Sequence, residues 1–134
     1  MQDLFEQIVH RPPGHGLPPR CYTDDIFLDF ETNTILQNEW LCLGRVDEVP
    51  ETGDFFTIDI LSEPLIVVRK SETEIVVLSN VCRHRGMPVA EGAGNTKRFR
   101  CPYHAWTYSL DGKLRAAPLV PKDQLQKYLS LIHI

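Results

Sequence analysis

The sequence predicts a mostly β domain, an antiparallel sandwich or barrel preceded by a partly helical arm. Three observations carry that expectation. Between residues 41 and 116 the chain offers seven short runs of strand-forming residues, each closed by Gly, Pro, Asn, Asp or Ser. Leu110-Asp111-Gly112-Lys113 carries the Asp-Gly signal of a tight hairpin, because Gly accepts the positive φ that such turns require. The 134 residues, 43% of them hydrophobic, suffice for one domain with a modest core.

Residues 1–38 form the arm. Residues 2–10 are expected to be a short helix with Leu4, Phe5, Ile8 and Val9 on one side, stopped by Arg11-Pro12-Pro13-Gly14. The Pro- and Gly-rich stretch from Pro12 to Arg20 reads as extended surface chain. A second helix is expected over 29–38, capped by Asp29, with Phe30, Ile35 and Leu36 inward. His10 and His15 fall in or beside the loop and are expected to face solvent.

Residues 39–118 form the β domain, with strands expected at 41–46, 55–60, 65–70, 74–79, 98–101, 105–109 and 113–116. Gly92-Ala93-Gly94-Asn95 reads as a turn, since no GK[ST] and no helical pattern follows to make it a phosphate loop. Residues 119–134 read as a tail.

Composition removes several classes of function. A net charge of −4 without a long basic run gives no basis for nucleic-acid binding, and no apolar run approaches the roughly 20 residues of a membrane span. Met1-Gln2-Asp3-Leu4-Phe5-Glu6-Gln7 lacks the features of an export signal, so a cytoplasmic location is expected. Cys42, within Trp40-Leu41-Cys42-Leu43, is expected to be a buried small hydrophobe, and Cys21 a reduced thiol.

The chemistry concentrates in two loops. Cys82-Arg83-His84 and Cys101-Pro102-Tyr103-His104 are separated by sixteen residues, and each pairs a thiol with an imidazole at the end of an expected strand. A Rieske-type [2Fe–2S] cluster needs two thiolates on one iron and two imidazoles on the other. Spacing alone leaves a Cys2His2 zinc site open, although zinc fingers pair Cys with Cys and His with His, whereas each loop here mixes them. Gly86 lets the first loop turn tightly, while Pro102 fixes its own φ and biases Cys101 towards an extended backbone. Trp106 and Tyr108 are expected to pack beneath the second loop and exclude water from it.

With their neighbours the loops read CRHRG and CPYHAWTY. Together with Leu17-Pro18-Pro19-Arg20-Cys21-Tyr22-Thr23-Asp24, Trp40-Leu41-Cys42-Leu43-Gly44-Arg45-Val46, Gly53-Asp54-Phe55-Phe56 and Leu110-Asp111-Gly112-Lys113-Leu114, they make the chain resemble the N-terminal Rieske domain of the α subunit of Rieske non-haem iron oxygenases. The resemblance implies a Rieske-type fold with a two-loop cluster-binding subdomain. It implies that Cys82, His84, Cys101 and His104 hold the cluster, with Arg85, Gly86, Pro102, Trp106 and Tyr108 around them. It also implies electrons arriving from a ferredoxin or flavin reductase and leaving for a mononuclear Fe(II), in a homotrimer or α/β hexamer when the protein is full length.

The respiratory-chain Rieske type, similar in its ligands, adds a cysteine to each loop and a serine that hydrogen-bonds a cluster sulfur. Met87, Tyr103 and Trp106 stand in those places here. With fewer donors to sulfur, the potential is expected near the reducing end of the Rieske range, roughly −150 rather than +300 mV. Arg83, Arg85, Lys97, Arg98 and Arg100 make a basic stretch that is expected either to dock an acidic electron donor or to lie solvated. After Pro118 the family continues into a large catalytic domain. The residues to 134 supply no two histidines with a carboxylate at suitable spacing, so a fragment of an oxygenase is expected, with a stand-alone Rieske ferredoxin as the other reading.

Overall fold

A computed structural model describes residues 1–133. Residues Met1–Cys42 form one compact unit and the chain from Leu43 onward a second.

In the first unit, α1 (Gln2–Val9) buries Leu4 completely and sets the Phe5 ring 5.0 Å from Phe30 and 6.3 Å from Phe27. Val9, expected on the inner side, is 73% exposed, because the eight-residue helix ends there, where Pro12-Pro13 prevents another turn. The second helix, α2 (Asp25–Glu31), begins earlier than the sequence suggests. Its cap is Asp24, whose carboxylate accepts the Ile26 N–H at 3.0 Å and pairs with Arg20 at 2.8 Å. The apolar stripe starts at Phe27, one turn before Phe30, and it is Phe27 that is buried. Asp29 lies inside the helix, and residues 32–36 continue as a π turn that leaves Ile35 exposed.

In the second unit, strands β1 (Asp54–Ile60), β2 (Glu63–Ser71), β3 (Glu74–Ser79) and β4 (Ala93–Asn95) form an antiparallel sheet in the order β3-β2-β1-β4. Strands β5 (Phe99–Arg100), β6 (Thr107–Tyr108) and β7 (Leu114–Ala116) form a second sheet. Phe55 and Phe99 meet edge to face at 5.4 Å between the sheets. Around them Ile66, Val68, Leu78, Val89, Phe99, Trp106, Tyr108 and Leu114 make one core, and Cys82 and Cys101 are part of it.

Three expectations need correction. Residues 41–45 are not a strand: they lie outside both sheets and lead into a 3-10 turn at Val46–Glu48, where the Glu48 carboxylate accepts the Arg45 N–H. An apolar run becomes a strand only where an edge is free to pair with it. Cys42 is accordingly exposed rather than buried, and Trp40 wholly so. Residues 93–95 are the edge strand β4 instead of a turn, pairing with Asp54, Phe55 and Phe56, and Gly94 passes over the Phe55 ring.

The Asp-Gly turn forms as expected. Gly112 has φ +76° and donates to the Ser109 carbonyl at 2.9 Å, joining β6 to β7. Residues 119–133 pack into the same core through Leu125 and Leu131, and the Leu131 N–H bonds the Gly112 carbonyl at 2.9 Å.

Candidate metal centre

The two ligand loops have one backbone design. In the first, the Cys82 N–H donates to the Met87 carbonyl and the Gly86 N–H donates back to Cys82, both at 2.9 Å. In the second, the Cys101 N–H donates to Trp106 at 2.8 Å and the Ala105 N–H donates back to Cys101 at 3.0 Å. The fourth residue after each cysteine sits in the left-handed region, Gly86 at φ +72° and Ala105 at φ +58°. Glycine takes this conformation freely, whereas for alanine it costs about 1–2 kcal/mol. The sequence pointed to the Gly86 turn. Nothing in an alanine announces its twin.

Asn80 holds the base of the first loop. Its side-chain oxygen accepts the Val89 and Ala90 N–H groups at 2.9 and 3.0 Å, and its amide donates to the Ala90 carbonyl at 2.9 Å. A buried carboxamide so engaged fixes the chain on both sides of Cys82 and His84.

The four candidate ligands separate by chemistry. Cys82 and Cys101 are each 2% exposed, while His84 and His104 lie at the surface, their ring centres 4.7 Å apart. An imidazole bound through one nitrogen at about 2 Å has its centre roughly 3.2 Å from the metal, so two rings on one tetrahedral ion stand roughly 5 Å apart. The histidine pair fits one ion. A two-iron cluster asks for two thiolates at one end and two imidazoles at the other, and here the thiols lie in the core while the imidazoles lie at the surface.

Aromatic rings flank both imidazoles. His84 stacks on Trp106, 4.8 Å away and 4° from parallel, and Tyr103 covers His104 at 3.8 Å. Burial, then the neighbouring His104 and Arg85, lowers the His84 pKa and favours the neutral imidazole that a metal requires. Trp106 and Tyr108 are buried as expected, while Arg85, Gly86 and Pro102 lie at the surface of the loops.

Tyr108 does more than fill space. Its hydroxyl oxygen accepts the Arg83 N–H at 3.2 Å and lies 3.3 Å from the Cys82 sulfur. With a thiol at Cys82 either group can donate, whereas a metal-bound thiolate has no proton and would take the one on the hydroxyl. Burial, reinforced by the Cys82 contact, pushes the phenol pKa up, so that proton is retained.

The basic residues Arg83, Arg85, Lys97, Arg98 and Arg100 are all exposed. No helix among the described residues is long and apolar enough to cross a membrane.

Residues 39–129 match the profile of the Rieske [2Fe–2S] domain. The chain is 42% identical over 103 residues to the biphenyl dioxygenase α subunit of Paraburkholderia xenovorans, an alignment covering 76% of this chain and 22% of that one. Among solved structures, naphthalene 1,2-dioxygenase from a Rhodococcus species superposes with a TM-score of 0.80 at 32% identity, over 98% of this chain and 30% of that one. A quaternary ammonium Rieske monooxygenase, described as oxidising carnitine with inter-subunit electron transfer, superposes with a TM-score of 0.73 at 28% identity, over 87% and 33%. The chain thus spans about a quarter of the length of the curated relatives it matches.

Proposed function

Because the chain belongs to the Rieske [2Fe–2S] domain family, we propose that it is the electron-relay domain of an oxygenase α subunit of the ring-hydroxylating and demethylating kind. Cys82, His84, Cys101 and His104 are its cluster ligands. The observation that carries this reading is the division of the site into a buried thiol pair and an exposed imidazole pair. When bound, the cluster supplies one-electron redox chemistry.

The chain's own residues do the rest. Cys82 and Cys101 serve as thiolates, deprotonated on binding metal and shielded from water by the core. His84 and His104 each bind through one ring nitrogen and leave the outer edge at the surface, where an electron leaves and a proton can be held or released. Tyr103 and Trp106 set the ring planes, and Tyr108 donates to the Cys82 sulfur.

Electrons arrive one at a time from a ferredoxin or flavin reductase, with the exposed basic residues as the docking side. They leave for a mononuclear non-haem iron outside these residues, in a neighbouring subunit of a homotrimer or α/β hexamer in a reducing cytoplasm.

Anaerobic reconstitution tests the proposal. About two irons and two sulfides per chain, with a reduced-state EPR signal of low average g, are expected. One zinc and no sulfide would contradict it.

A further inference from the structure

We propose that Tyr128, outside both ligand loops, is a positioning residue for the His84 ring and acts through Trp106. The inference rests on reading His84 as an iron ligand, as above.

Three rings form a line from the tail to the ligand. Tyr128 meets Trp106 edge to face at 5.5 Å and 85°, and the indole then lies 4.8 Å from the His84 imidazole, 4° from parallel. A stack this close to parallel passes orientation from one ring to the next, since turning the indole would push the imidazole out of plane. The torsion that turns an indole is broad and two-fold, so it needs an external stop. An edge-on aromatic ring is such a stop.

Tyr128 is held where it can act. The 3-10 turn Lys122–Lys127 ends on a hydrogen bond from the Tyr128 N–H to the Leu125 carbonyl at 3.0 Å, and Leu125 and Leu131, one on each side of Tyr128, are buried in the core. The same segment lines, with Leu119 and Val120, the hollow bordered by His84 and His104. The tail therefore belongs to the surroundings of the imidazole pair. Tyr128 itself is 42% exposed, so its removal leaves the buried core intact.

How a bound imidazole is turned about its metal–nitrogen bond alters the anisotropy of the paired spin and the coupling of that nitrogen, whereas a filler residue far from the spin would change neither. The test uses the full chain, anaerobically reconstituted, as parent, Tyr128→Phe, Tyr128→Ala and Tyr128→Leu. The alanine and leucine variants are expected to hold the parent's complement of iron and sulfide, yet to show a shifted spread of g values and an altered ¹⁵N coupling for one imidazole. Tyr128→Phe, which keeps the ring, is expected to match the parent. A second arm needs no iron. In a Trp40→Phe background Trp106 is the sole indole, and Tyr128→Ala should make its emission more open to acrylamide quenching. Spectra of the alanine and leucine variants that superimpose on the parent's would overturn the inference. A parent that takes up no iron and sulfide would instead overturn the ligand reading, and the quenching arm would still report on the ring contact.

Discussion

At the scale of single residues, the Tyr108 hydroxyl 3.3 Å from the Cys82 sulfur is placed to tune the cluster that the two loops would hold. A donor to a thiolate sulfur withdraws electron density and favours the reduced, more negative state, so Tyr108→Phe is expected to lower the potential. If the bond favours the reduced state by about 1 kcal/mol, the drop is roughly 40 mV, measurable by redox titration. This donor also amends the comparison with respiratory Rieske proteins: the serine is missing, but sulfur is not without a hydroxyl partner. The paired loop turns give a second prediction. Ala105→Gly removes a left-handed alanine and should stabilise the apo chain by about 1 kcal/mol in urea unfolding, and Gly86→Ala should destabilise it by a similar amount. No atom lies within 4 Å of a Cβ added at Gly86, so that cost is one of backbone conformation alone. The four candidate ligands stood out in the sequence because each loop mixes a Cys with a His, and the structure puts both thiols in the core and both imidazoles at the surface. Tyr108 was legible only as bulk, because its hydroxyl serves a sulfur 26 residues away in sequence.

Among the elements, β1, β2 and β3 stood out because each is a run of apolar and β-branched residues with a partner on at least one side. Strand β4 did not, since Ala93-Gly94-Asn95 has no strand propensity and is held by pairing with β1. The run at 41–45 is the reverse case, apolar but outside both sheets. The turn between β6 and β7 was legible from Asp-Gly, yet its electrostatics were not. Asp111 lies 3.2 Å from the Lys113 ammonium and 3.7 Å from Arg115, and the Ser109 hydroxyl donates to it. Burial works to raise its pKa, but the Ser109 hydroxyl and the Lys113 contacts outweigh this and bring it down to about 2. A folded-state pKa below the unfolded value of 3.8 means that this stabilisation is complete above about pH 4 and is lost as pH falls towards 2. Melting temperatures measured between these limits should fall less steeply for Asp111→Asn than for the parent.

On the scale of the whole molecule, Cys82 and Cys101 belong to the core that the two sheets share, while His84 and His104 stay at the surface. Composition could not show that Leu125 and Leu131 return to the core beside the ligand loops, because the apolar residues of 119–134, four leucines among them, follow no single helical or strand period. The central claim is that both imidazoles bind one iron while both thiolates bind the other. Pulsed EPR on reduced protein grown with ¹⁵N-histidine tests it most directly. Two strongly coupled histidine nitrogens are predicted, falling to one in His84→Cys or His104→Cys if a cluster persists. A spectrum without histidine coupling, or protein holding only zinc, would contradict it.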